Sequence, residues 1–207
     1  MKEQGKESDR KVFLRVSSDA GESFGDAQAI DLGLGVCMCC HLKSHTDDKG
    51  NLYLAYRVAP NGVDRDSFVL MSANQGQSFS STPLDKWKLR ACPGSAYSFA
   101  SDGHQTFVSY RNQDDVFCQP TNTTKPIALP DSNLKRRAAV MTSNHKGLTL
   151  MTWTEGENFN KPHALAWQIY DSAGAPIGAG GRLDAAFQRW GLPAAFIDGE
   201  GEFVILH

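Results

Sequence analysis

The sequence predicts an all-β fold built from a repeated antiparallel unit, on three observations. First, four segments share one form: an apolar strand, a polar turn ending in glycine, then a strongly β-prone run. Their turn glycines, Gly50, Gly103, Gly147 and Gly201, lie 53, 44 and 54 residues apart. Second, two eight-residue stretches, Ser17–Phe24 and Ser72–Phe79, both read S-x-[DN]-x-G-x-S-F. Third, runs rich in β-branched and aromatic residues alternate with Gly, Asn and Asp, and almost no window has helical periodicity.

The strand pairs follow in chain order. Leu42–Thr46 pairs with Leu52–Tyr56 across Gly50, and Ala96–Ala100 with Thr106–Tyr110 across Gly103. Ala138–Thr142 pairs with Leu148–Trp153 across Gly147, and Leu192–Ile197 with Phe203–Leu206 across Gly201. A period of this length suits one four-stranded sheet per repeat, arranged radially. In the S-x-[DN]-x-G-x-S-F turns, Asp19 or Asn74 accepts backbone amides and Ser17, Ser23, Ser72 and Ser78 satisfy turn groups. Gly21 and Gly76 supply a positive φ, and Phe24 and Phe79 plug the turn into the sheet.

The spacing also predicts how the ends meet. Gly50 precedes Ser72 by 22 residues, and the same offset from Ser17 falls before Met1. The first unit therefore lacks an inner hairpin, while the chain ends at His207 just after one. The expectation is a single domain over 11–207: terminal halves 11–35 and 185–207 sharing one sheet, with whole sheets at 36–90, 91–132 and 133–184. Residues 1–10 are polar and charged, without the apolar stretch of a secretory signal, and are read as a flexible terminus. If whole sheets are missing, open edges drive homo-oligomerisation.

The two boxes resemble the Asp-box (BNR repeat) pattern of sialidase-like β-propellers. The run Cys37-Met38-Cys39-Cys40-His41 with a later Cys92-Pro93 is similar to a bacterial branch of that family. The resemblance implies a β-propeller of four-stranded antiparallel blades, about four blades' worth of sequence. Asp-box turns then lie at the periphery, away from catalysis. Members of that branch look exported, which implies a periplasmic or secreted setting and oxidised cysteines.

Cys40 and Cys92 lie 10 and 11 residues before turn glycines, on linkers that enter inner strands near the ring axis. Arg136 and Arg137, and Arg189 and Trp190, occupy the equivalent positions of the next two repeats. One mouth of the ring thus carries thiols, His41, arginines and a tryptophan. Three readings of the cysteines stand side by side. One is a disulfide from Cys39 or Cys40 to Cys92; another is a Cu or Zn site using Cys37, Cys39, Cys40, Cys92 and His41; the last is simple buried thiols. Cys118 falls on an outer strand and is expected to be unpaired and inert; an odd count leaves one thiol free in a monomer.

A sialidase of this fold clamps the substrate carboxylate with three arginines and uses a Tyr–Glu pair and an acid/base Asp. The F/Y-R-I-P motif is missing; the nearest look-alike, Phe187-Gln188-Arg189-Trp190-Gly191-Leu192-Pro193, differs in order and spacing. Arg57, Arg111, Arg136, Arg137 and Arg189 are candidate clamps, and Tyr56, Tyr110 and Glu155 end inner strands. The histidines lack metal-protease spacing, Asn122-Thr123-Thr124 is a sequon common by chance, and Gly178–Gly181 reads as a loop between strands. A net charge of -2 argues against nucleic acid, and no window is apolar enough for a membrane helix.

These observations predict a non-catalytic binding module for a glycan or a protein at the axial face, requiring no cofactor. Arg136, Arg137, Arg189, Trp190 and His41 are the expected ligand contacts. An exo-α-sialidase-type hydrolase, with Arg136, Arg189, Tyr56 and Glu155 as candidates, is the alternative. A metal-binding or thiol-redox protein built on the cysteines is another.

Overall fold

The computed structural model describes residues 6–158 and 160–207. Among the described residues, fifteen strands form five antiparallel sheets, and the only helical element is one 3-10 turn. Sheet 1 holds β1 (Phe13–Leu14) and β2 (Gln28–Ala29). Sheet 2 runs in order through β3 (Lys43–Thr46), β4 (Leu52–Arg57), β5 (Ser67–Ser72) and β6 (Ser80–Asp85). Sheet 3 holds β7 (Ser98–Ser101), β8 (Thr106–Asn112) and β9 (Asp115–Pro120). Sheet 4 holds β10 (Arg136–Ser143), β11 (Thr149–Glu155), β12 (His163–Tyr170) and β13 (Pro176–Phe187). Sheet 5 holds β14 (Ala194–Ile197) and β15 (Phe203–Leu206). The fold is all-β, and its sheets stack face to face as propeller blades do.

Each interface between neighbouring sheets has its own apolar core. Val12 of the first repeat meets Leu54, Tyr56 and Leu70 of sheet 2. Tyr53, Val69 and Leu84 meet Phe99, Val108 and Tyr110 of sheet 3. Phe107, Val116 and Cys118 meet Met141, Met151 and Trp153 of sheet 4. Burying a side chain such as Leu70 or Phe107 contributes about 1.5–3 kcal/mol.

The eight strands expected from the glycine spacing all form, with ends shifted by one or two residues. Their turns share a device the glycines only half revealed. Asp47, Asn144 and Asp198 at inner hairpins, and Asp171 between β12 and β13, each accept two backbone amides on Oδ1 at 2.8–3.1 Å. Three residues later stands a glycine with positive φ: Gly50, Gly147, Gly201 and Gly174. The two S-x-[DN]-x-G-x-S-F turns form matching hydrogen-bond sets. Gly21 and Gly76 donate to Ser17 and Ser72 Oγ at 2.8 Å, and Ser23 and Ser78 donate to Asp19 and Asn74 Oδ1 at 2.9 and 3.0 Å. Ser17 and Ser23 hydroxyls hold the Asp19 carboxyl well below the ordinary range. Phe79 packs into the first interface, but Phe24 stays exposed and plugs nothing.

Other expectations need correction. The terminal hairpins do not share a blade: sheets 1 and 5 are separate two-stranded sheets. Each already lies on its sequence neighbour, sheet 1 on sheet 2 through Val12 and sheet 5 along sheet 4 through β14 and β10. Segment 91–132 yields three strands, not four. After β9 the chain carries Pro126 and Pro130, which offer no ladder donor. Only Ile127 donates to the Cys118 carbonyl, at 2.7 Å. Gly178–Gly181 belongs to β13 and is not a loop; a Cβ on Gly181 would strike the Trp167 ring that lies over it.

Within the terminus read as flexible, residues 1–5 lie outside the described residues. Glu7–Asp9 forms the 3-10 turn. Glu7 accepts the Met38 amide at 2.7 Å and pairs with Arg65 at 2.7 Å. Burial would raise its carboxyl, but these two partners carry it below the ordinary range.

Sheets 2 and 3 are joined through Arg57, which is fully buried at the end of β4. Its Nε donates to Ser95 Oγ at 3.1 Å, and its Nη2 donates to the Arg111 carbonyl of β8 at 2.7 Å. Its Nη1 donates to the Arg65 carbonyl, and Nη2 lies 3.4 Å from Asp85 Oδ2. The guanidinium also covers the Trp87 ring at 4.8 Å. Replacing Arg57 with Met is expected to cost about 3–5 kcal/mol, because it leaves the Asp85 carboxylate and two carbonyls buried without their partner. Urea unfolding measures this, and a loss below about 1 kcal/mol would show that the two sheets do not depend on the guanidinium.

Candidate functional site

Three kinds of segment gather on one face of the molecule. They are the linkers into the inner strands, the turn from β8 to β9, and the loops after β4 and β11. Backbone bonds knit them together: His41 donates to the Ser95 carbonyl at 3.1 Å and Arg136 to the Asp114 carbonyl at 2.8 Å. Cys37, Cys39, Cys40 and Cys92, with Arg111 and Arg137, all lie here.

The Cys39–Cys92 disulfide joins the linkers into β3 and β7, one of the pairings open from sequence. Cys37, Cys40 and Cys118 remain free thiols. The sulfurs of Cys37, Cys39 and Cys40 lie within 4.8 Å of one another. With Cys39 committed to the disulfide, two thiols remain there, short of the four donors a structural zinc takes. His41 is exposed and does not belong to this sulfur group.

Cys37 donates its S–H to Cys40 Sγ at 3.2 Å. Ser95 Oγ lies 3.3 Å from the same sulfur. Because that oxygen accepts from Arg57 Nε, its own proton is directed to Cys40. Cys40 therefore accepts two hydrogen bonds beside a buried guanidinium. The Cys37 thiol, then Ser95 and the Arg57 charge, bring the Cys40 thiol down to about 6. Its bond to Cys40, together with burial, pushes the Cys37 thiol far up. Cys118, on β9, is buried against Met141 Sδ at 3.3 Å, and burial alone raises it to about 12.

The other sequence candidates divide clearly. Arg57 is internal, as described. Arg136 is buried over the Trp153 ring, with Nε 3.5 Å from Glu155 and Nη1 3.6 Å from Asp115. Glu155 is itself buried, accepting from Trp153 Nε1 at 2.9 Å and pairing with Arg182. Tyr56 lies in the first interface, its hydroxyl accepting the Leu32 amide at 3.0 Å. Tyr110 lies in the second, donating to Gln119 Oε1 at 2.8 Å. Burial pushes both phenols up, so neither is a ready nucleophile. Arg189 and Trp190 stand exposed on the linker into β14, with Trp190 67% accessible. The candidate clamp and nucleophile residues are thus dispersed: Arg57, Arg136, Tyr56, Tyr110 and Glu155 serve packing and internal pairing.

Sequence reading missed the charge arrangement around Asp114, on the turn between β8 and β9. Lys135 Nζ lies 2.8 Å from its carboxylate, Arg137 Nη2 3.7 Å and Arg111 Nη2 3.9 Å. Lys135 above all, then the two arginines, holds the Asp114 carboxyl below its ordinary range. Arg111 also donates to the Pro93 carbonyl at 2.9 Å, and burial, with Arg137 beside it, lowers its guanidinium. Arg111 and Asp114 line a groove of about 350 Å³ with Trp87, Cys92, Pro93 and Gln113. The run Gln113-Asp114-Asp115 looks like an ordinary turn in sequence; only its meeting with residues 135–137 gives it meaning.

A second cleft of about 350 Å³ lies at the opposite end, between the inner turns of sheets 2 and 3. Its Asp47 is occupied by Lys49, Asn51 and Tyr53 as turn and strand partners.

No protein-family model matches the chain, and no curated protein sequence matches it. Solved structures do. An α-L-arabinanase of Penicillium chrysogenum, solved with arabinobiose, superposes with a TM-score of 0.60 at 16% identity, covering 95% of this chain and 67% of that one. An endo-arabinase of Bacteroides thetaiotaomicron covers 94% and 80%, with a TM-score of 0.45 and 15% identity. The first likeness establishes the β-propeller fold.

The thiols give a direct test of this geometry. Charged and titratable groups around Cys40 are Cys37 on its own linker, Arg57 from β4, Arg111 from β8, and Tyr97, while Arg65 acts on Cys37. The thiolate is the reactive form, so the Cys40 alkylation rate is expected to rise with pH through a midpoint near 6. Iodoacetamide labelling read by peptide mass spectrometry measures it. A midpoint at the ordinary thiol value, about 8.5, would contradict the Cys37 and Ser95 donors.

Proposed function

We propose that this chain is a carbohydrate-binding β-propeller module that holds an acidic glycan without cleaving it. The observation that carries the reading is the convergence of Lys135, Arg137 and Arg111 on the Asp114 carboxylate at the linker face. A sugar carboxylate entering the groove replaces or extends Asp114 as their partner, through charge-assisted hydrogen bonds. Trp87 and Pro93, both largely buried, form the floor of the same groove.

Burial of the acidic and phenolic side chains expected from the sequence supports binding without turnover. Glu155 is enclosed by Trp153, Arg136 and Arg182, and the Tyr56 and Tyr110 hydroxyls are internal. Most glycoside hydrolases need two carboxyl groups at the scissile bond, and a sialidase a Tyr–Glu pair with an acid/base Asp, all open to substrate and water. The arabinanase likeness supports a carbohydrate as the ligand class on a shared fold. The acidic preference rests on the Asp114 surroundings alone.

Calorimetric titration with 3′-sialyllactose and trigalacturonate, against lactose and arabinobiose, tests this. Acidic sugars are expected to bind, more weakly as salt is raised, with no new reducing ends. Each lost bond to a charged group is worth about 1.5–3 kcal/mol, so Lys135→Ala or Arg137→Ala is expected to weaken binding about tenfold or more. Equal binding of neutral and acidic sugars, no binding at all, or release of cleaved product would overturn the reading.

A further inference from the structure

We propose that Cys37 and Cys40 are a redox-active dithiol that closes to a disulfide at the expense of a small-molecule disulfide, beside the standing Cys39–Cys92 bridge. This site is separate from the glycan reading and does not depend on it. Four facts converge on the pair. The two cysteines have the spacing C-x-x-C, as Cys37-Met38-Cys39-Cys40. Their sulfurs already face each other at 3.2 Å. They differ in exposure: Cys37 is 3% accessible, while Cys40 is only partly buried. They also differ in surroundings, since Cys40 takes hydrogen bonds from Cys37 and Ser95 beside the Arg57 guanidinium, whereas Cys37 holds the proton.

That asymmetry assigns the roles. The Cys40 thiolate attacks one sulfur of a disulfide RS–SR, forming a Cys40–SR mixed disulfide and releasing RS⁻. The released thiolate takes the proton of the Cys37 thiol. Cys37 sulfur then attacks Cys40 Sγ, the Cys37–Cys40 bond forms, and the second RS⁻ leaves to take a proton from solvent. Two protein thiols are oxidised and one external disulfide is reduced to two thiols. Cys37 lines an open cavity of about 550 Å³ with Asp9, Arg10, Lys11 and Met38, one acidic side chain against two basic ones, a balance that tilts toward a carboxylate-bearing disulfide.

The neighbouring bridge calls for an explanation, because Cys37 Sγ lies 3.6 Å from Cys39 Sγ. Cys37 is a poor nucleophile while it donates its proton to Cys40, so the Cys39–Cys92 bond is spared in the resting protein. Once Cys40 carries the incoming group, that donor bond is lost and Cys37 is released to resolve the adduct on its neighbour.

The experiment incubates the native protein with oxidised glutathione, blocks thiols with N-ethylmaleimide in acid, and maps cysteine pairing by mass spectrometry. The expected product has Cys37 joined to Cys40, Cys39 still joined to Cys92, Cys118 reduced, and no retained glutathione. Cys37→Ser is expected to keep the first step and accumulate glutathione on Cys40. The native map stands without the variant, should the serine perturb folding. A lasting glutathione adduct on native Cys40, exchange into Cys39 or Cys92, or thiols left unoxidised would each overturn the proposal.

Discussion

The buried Arg57 guanidinium is the interaction on which the rest of this half of the molecule depends. One side chain from β4 satisfies carbonyls of Arg65 and Arg111, faces Asp85 at the end of β6, and fixes Ser95 on the linker into β7. Two sheets and the connection between them are thereby held at one point. Burial still pushes the Asp85 carboxyl above its ordinary range, so the pair is not a surplus of favourable charge. It is a constraint: each partner is costly to bury alone, and the arrangement is tolerated only when complete.

That constraint reaches the chemistry. Ser95 Oγ accepts from Arg57 and faces Cys40, so the same hydroxyl that closes the sheet junction orients the thiol. Arg111, whose carbonyl binds Arg57, reaches outward with its own guanidinium to Pro93 and Asp114. The linker face is therefore a surface laid over a polar core, not an independent set of loops. The opposite face differs in kind. There Asp47, Asn144, Asp198, Asp19 and Asn74 spend their oxygens on backbone amides within their own turns, and so serve to end strands.

How much was legible in the sequence follows from whether the signal is local. Turns and strand pairs are local: Gly50, Gly147 and Gly201 mark hairpins because an L side chain disfavours their backbone angles, and the flanking runs alternate as strands do. The Ser17 and Ser72 boxes encode their hydrogen bonds in eight residues. The site is non-local. Nothing near Arg57 announces that it turns inward, because Asp85 lies 28 residues away and the Arg111 carbonyl 54. Cys39 and Cys40 are both open partners by spacing, and only the folded linkers pair Cys39 with Cys92. The missing fourth strand of sheet 3 was written in Pro126 and Pro130, a local signal that the repeat length outweighed.

The bond between Cys39 and Cys92 has a topological effect beyond local bracing. Its 53-residue loop encloses the whole of sheet 2 and no complete part of another sheet. In the chain-entropy account, a ring of this size restricts the unfolded polypeptide by about 4 kcal/mol. Tension applied to the two ends of the polypeptide would travel from one sulfur to the other and bypass β3 through β6. One repeat is thus mechanically sheltered, while its neighbours carry the load.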